Sequence, residues 1–151
     1  MDPVSIIVTA VALGAQEGVR STVASAVKDL YAGLKHLITD RYKGVDPTPV
    51  ENKPDSDAKR ASLEEDLKDA GAESDAELLA AAKALIEAIN ADNPRAGEPI
   101  GVNLEEIEAE AVRIQNVWSS GGGVNVRGAK VSGSIDISNV TSGQKGPSST
   151  P

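Results

Sequence analysis

Phenylalanine is absent from these 151 residues, and the aromatic side chains amount to two Tyr and one Trp. A core must therefore be built from Val, Leu, Ile and Ala, which suits closely packed helices. Cysteine is absent too, which excludes disulfides and thiolate-held metals. The single histidine, His36, is too few for the common His-based metal sites. No cofactor or metal is expected. The length allows one ordinary domain, or a small domain with an appendage.

The net charge of −8 is unevenly spread. Residues 1–44 carry five Lys/Arg against four Asp/Glu, residues 45–110 six against eighteen, and residues 111–151 four against one. An acidic middle argues against nucleic acid as a partner, because a duplex is bound through a basic face that neutralises phosphates. The simplest use of such a middle is a solvated helical surface.

Catalytic signatures are missing as well. The acidic runs Asp55-Ser56-Asp57 and Glu64-Glu65-Asp66 lack the glycine-marked spacing of a calcium loop. The glycines at 121–123 are not followed by the helix and Lys of a phosphate loop. No Ser, His and acid are placed as a triad. The chain is expected not to be an enzyme.

What is present begins with "MDPVSIIVTAVALGAQEGVR". Residues 3–16 are uncharged, fewer than the roughly 20 that span a bilayer. Asp2 stands where a signal peptide carries positive charge, so export is not expected and the protein is expected in the cytoplasm. Asp2-Pro3 is a good helix start, a capping acid before a proline at the first helical position. The spacing predicts a first helix over 3–18, apolar almost all round, either buried in protein or in contact with lipid. Ile6, Ile7 and Leu13 belong to its apolar surface. Ala10, Gly14 and Gly18 recur every four residues and would let another helix approach closely, at ~1 kcal/mol per glycine relative to Ala.

A second helix is predicted over 22–43, with Val23, Val27, Leu30, Leu34, Leu37 and Ile38 at helical spacing and His36 on its polar side. Three prolines make 45–55 a loop. A third helix fits 56–70 with Leu63 and Leu67 inward. A fourth starts at the capping box Ser74–Glu77 and runs to about Asn90. Asn103 and Glu106 suggest a short further helix carrying Leu104 and Ile107. Residues 1–110 thus read as mainly α, an antiparallel bundle of about four helices and a fragment.

From Ala111 the apolar period shortens to two. Val112-Arg113-Ile114 with Val117, Val124-Asn125-Val126 with Ala129 and then Val131, and Ile135-Asp136-Ile137 with Val140 form three aligned units, each closing on Ser-Gly. Alternating β-branched residues present one apolar face of a short strand, and such units stack within a chain or between chains. Three rungs with two open edges make a poor domain by themselves. The tail is therefore expected to be disordered, docked on the bundle or stacked on other copies; the last makes residues 111–143 a self-assembly tail of three short β-rungs, followed by a disordered terminus at 144–151. In a head-to-tail stack Asp136 of one chain would meet Arg113 of the next, setting register more than strength.

The stretch "MDPVSIIVTAVALGAQEGV", followed by "AVKDLYAGLKHLI", resembles the start of bacterial helical domains, sometimes called Bell domains, that are compared with the fungal HeLo-type cell-death domains. The tail resembles, more loosely, the amyloid signalling motifs found beside such domains, some of RHIM type, though it carries a threefold repeat in place of one short Gln/Asn-rich core. The resemblance implies a cell-death or immune effector. A signalling protein with a matching motif would template the tail into a homo-oligomeric stack, and the first helix would then leave the bundle and act on the membrane. Residues 1–44 are slightly basic, which suits anionic lipid. The alternative is an oligomerisation or adaptor module whose helical domain binds a protein.

Overall fold

The computed structural model of the protein describes residues 1–121. The expected second and third rungs, with Val124, Val126, Val131, Ile135, Asp136, Ile137 and Val140, lie outside the described residues, as does the expected terminus 144–151.

Helix α1 (Pro3–Glu17) starts as its sequence dictates. Asp2 is extended, its Oδ1 accepts the Ser5 N–H at 2.8 Å, and Pro3 opens the first turn. The helix ends at Gly18, whose N–H reaches the Gly14 carbonyl. Along its length Val4, Ile6, Ile7, Val8 and Ala10 through Leu13 are at most 2 % exposed. A helix apolar on every face is stable in water only when other elements cover all of it. Here α2, α3, α4 and α5 each pack against α1, so the bundle is arranged around its first helix.

Helix α2 (Ser25–Arg41) buries Val27, Leu34 and Ile38 along one stripe and leaves His36 exposed. Leu30 and Leu37 are half-buried at the edges of that stripe. The expected loop 45–55 contains a short helix, α3 (Thr48–Asn52), whose Val50 is completely buried. Pro49 is compatible with a helix here because it sits in the first turn, where no N–H is required. Helix α4 (Asp57–Asp69) is capped by Ser56 and turns in Leu63 and Leu67. Gly71, at φ +86°, lets the chain reverse after it.

Helix α5 (Ala76–Asp92) buries Leu78, Leu79, Ala82, Leu85, Ile86 and Ile89, and packs against both α1 and α2. Its cap is Asp75, which accepts the Leu78 N–H at 3.0 Å, one residue beyond the Ser74 cap that the sequence suggested. A single 3-10 turn (Glu98–Ile100) leads to α6 (Leu104–Gly121), which Asn103 caps by accepting the Glu106 N–H at 3.1 Å.

Helix α6 corrects the reading of the first rung. Val112, Arg113, Ile114 and Val117 are helical, not extended. Leu104, Ile107, Ala111, Ile114 and Trp118 recur at spacings of three and four, a helical stripe that overrides the shorter alternation. Residues two apart on a helix are turned by roughly 200° from one another. Accordingly Ile114 is buried while Val112 and Val117 are exposed. The described residues are mainly helical and include six α-helices and no strand.

Candidate functional site

With no cluster of His, Cys, Asp or Glu able to hold a metal among the described residues, the feature that stands out is α1 itself. It is an apolar rod held by polar groups near both ends. The sequence-derived packing residues Ile6, Ile7, Ala10 and Leu13 are fully buried in the bundle. Gly14 is buried as well, and its bare Cα accommodates the ring of Tyr31 from α2; a Cβ at this position would overlap that ring. Gly18 falls just after the helix and is exposed, so it belongs to the turn and not to a packing stripe.

The Tyr31 ring is in turn fixed from its far end. Its hydroxyl donates to Glu51 on α3 at 2.6 Å, and Lys35 of α2 pairs with the same carboxylate at 3.0 Å. Burial first, and then the neighbouring carboxylate, push the Tyr31 hydroxyl well above its ordinary pKa. Gly14, Tyr31 and Glu51 therefore connect α1, α2 and α3 through one line of contacts.

At the start of α1, Ser5 Oγ donates to Glu64 of α4 at 2.9 Å. Lys68, one turn further along α4, lies 3.1 Å from Glu64 and 3.2 Å from Asp2. Burial works against the Asp2 carboxylate, but the Ser5 N–H and Lys68 outweigh it and hold its pKa below the usual value. These charges are substantially solvent-exposed, so water and salt screen each pair.

The other end is built differently. Glu17 is only 2 % exposed, a carboxylate buried at the last turn of an apolar helix. Its Oε1 accepts from Arg20 and, at 3.1 Å, from Asn93 Nδ2; its Oε2 accepts from Gln16 Nε2 at 3.2 Å. Arg20 also reaches Asp92 Oδ2 at 3.4 Å, and that same oxygen accepts the Ala24 N–H that begins α2. Gln16 spans to the Ala96 carbonyl at 2.7 Å. One cluster thereby joins the end of α1, the α1–α2 turn, the start of α2 and the end of α5.

A fourth connection fixes α2 to α5. Asp75 receives the Tyr42 hydroxyl at 2.6 Å and the Arg41 guanidinium at 3.0 Å on each oxygen, in addition to capping α5. Burial alone would raise the Asp75 pKa, yet Tyr42, the Leu78 N–H and Arg41 together lower it. Tyr42 is pushed up to about 12, by burial first and then by Asp75.

Sequence reasoning singled out none of Glu17, Arg20, Tyr31, Glu51, Asp75 or Asp92 as tertiary contacts. The one available signal was Glu17, the sole acid closing a long uncharged run, with Arg20 three residues on. Of the expected assembly residues, Arg113 lies in α6 while Asp136 lies outside the described residues, so their pairing has no described geometry.

Helices α2, α3, α4 and α5 packed on an apolar, largely buried first helix define a class: a helical domain in which the N-terminal helix is the core. The chain belongs to the Het-E N-terminal domain family, which matches residues 1–145, a fungal HeLo-like family of cell-death-related helical domains. No curated protein matches the chain, and no solved structure does. No helix among the described residues is long and apolar enough to cross a membrane.

Proposed function

We propose that the chain is the assembly-triggered effector of a cell-death or immune response, without an enzymatic step. In this reading the C-terminal region drives self-association, templated by a signalling protein with a matching motif. Crowding of the bundles then draws α1 out to act on an anionic membrane, and the protein passes from the cytoplasm to the membrane surface. Membership of a HeLo-like cell-death-related family supports the role.

The observation that carries the reading is the enclosure of α1. Six large side chains, Val4, Ile6, Ile7, Val8, Val11 and Leu13, are buried along it. At roughly 1.5–3 kcal/mol each, exposing them to water would cost on the order of 10 kcal/mol. That is comparable to the entire stability of an ordinary domain, about 5–15 kcal/mol. A helix of this kind has no stable existence in water, and if it leaves the bundle it requires an apolar receiver. The interfacial region of a bilayer is one, and a helix too short to span can lie within it.

The test uses purified full-length protein and anionic vesicles loaded with dye, with and without pre-assembled 111–143 peptide as seed. Seed-dependent leakage that disappears when 3–18 are deleted supports the effector. Assembly without leakage supports instead an adaptor whose helical domain binds a protein partner.

A further inference from the structure

The two ends of α1 are fastened in physically different ways, and this difference has a regulatory consequence. The start is held by exposed pairs among Asp2, Glu64 and Lys68, which water and salt weaken readily. The end is held by a buried carboxylate whose cationic partner is reachable. Glu17 is 3 % exposed at its side chain, whereas Arg20 is 33 % exposed. A buried carboxylate that loses its cation is left uncompensated in a low-dielectric site, and that is among the most destabilising of single changes.

We propose that Arg20 is the lock of an autoinhibited bundle. Its guanidinium bridges Glu17 on α1 and Asp92 on α5, and withdrawing it opens the C-terminal end of α1 first. This rests on the membrane-active reading of α1 given above and adds the point of control.

Every group facing the cluster fits that assignment. Asn93 and Gln16 satisfy Glu17 with neutral donors but supply no charge. The Ala24 N–H and Thr22 Oγ1 tie the α1–α2 turn to Asp92 and to Arg20 respectively. Among the contacts of Glu17, Arg20 alone is cationic, so removing it leaves two neighbouring carboxylates without a counter-charge. Glu17 and Asp92 then repel one another across the gap between α1 and α5. The turn carrying Arg20 also carries Val19, which is 87 % exposed, so the apolar side chain next to Arg20 does not anchor the turn in place of the guanidinium.

Amide exchange of the full chain under native conditions tests the lock. Arg20→Gln is expected to accelerate exchange of the amides in 14–24 and 90–97 by about tenfold or more, with those of α4 changing far less, as for a local opening. Glu17→Gln combined with Arg20→Gln is expected to recover most of the protection, because the unpaired buried charge is gone. Equal acceleration in every helix, or none anywhere, overturns the proposal, since Arg20 would then be a general stabilising residue or an idle one.

The regulatory half is read on dye-loaded anionic vesicles. Arg20→Gln is expected to leak with less seed than wild type, while the double variant behaves as wild type. Local opening with unchanged leakage overturns Arg20 as the control point. Absence of leakage from every variant under every condition counts against the membrane reading of α1, and the exchange measurement still decides whether the lock exists.

Discussion

The ring of Tyr31 lies in the space that a side chain on Gly14 would occupy. The contact gives a reason for a glycine inside α1 that does not involve a membrane. The small residue admits a half-buried aromatic ring against α1 in a bundle that has few aromatic residues.

Gly14→Ala should therefore destabilise the protein even though alanine is the better helix former. The overlap with a ring held by Glu51 should cost about 1–3 kcal/mol, more than the ~1 kcal/mol gained in helix propensity. Gly33, in the exposed middle of α2, has open space around the position of a Cβ. Gly33→Ala should stabilise by about 0.5–1 kcal/mol. Urea midpoints of the two variants should fall on opposite sides of wild type. A Gly14→Ala protein as stable as wild type would show that close approach of the Tyr31 ring does not require a glycine at this position.

The two tyrosines predict the alkaline limit of the fold. Both have pKa values raised above 10.0, Tyr42 to about 12. A raised folded value means that the neutral hydroxyl is favoured in the native state. The stability associated with Tyr42 is fully present below pH 10 and is lost as pH rises through about 12, and that associated with Tyr31 persists to still higher pH. Tyrosinate absorbance should appear near pH 10 in urea but only at markedly higher pH in the native protein. Tyr42→Phe should leave Tyr31 as the sole, late-titrating group. A native titration step near pH 10 accounting for both tyrosines would contradict their burial beside Glu51 and Asp75.

Val112→Pro separates a helix from a β-rung at the end of the described residues. In the interior of α6 a proline costs ~3 kcal/mol and breaks the helix locally. Far-ultraviolet circular dichroism should lose the signal of roughly ten helical residues while the bundle stays folded. An unchanged spectrum would return 112–117 to the extended reading.

How much of this was legible beforehand depends on the scale of the signal. The start of α1 could be read because Asp2-Pro3 is a local device and the following run has no polar face. The stripes of α2, α4 and α5 were legible because helical spacing is repeated over several turns. Helix α3 was hidden, since five residues with one apolar side chain, Val50, contain no period, and the prolines around it signal a loop. The α5 cap was misplaced by one residue because Ser74 and Asp75 are both competent. Tyr42 and Arg41, distant in sequence, are seen only in the fold to converge on Asp75.

The first rung failed for a different reason. Val112 and Ile114 satisfy a period of two and Ile107, Ala111 and Ile114 satisfy 3.6, so the short window was ambiguous. The stripe from Leu104 to Trp118 favours the helix. The Glu17 cluster left only a weak signal, the acid that closes the uncharged run, because an acid and a base three apart are ordinary on any helix surface. Nothing in the sequence marks Glu17 as buried.

A bundle that uses its first helix as its floor has no empty form. Helices α2, α3, α4 and α5 all rest on α1, so withdrawing it removes a surface that every one of them covers and leaves only their contacts with one another. The remaining shell would have to repack or unfold, and refilling it would require the same helix to come back out of whatever received it. Departure of α1 would accordingly behave like the burning of a fuse: one discharge per molecule, with resetting left to synthesis of a new chain.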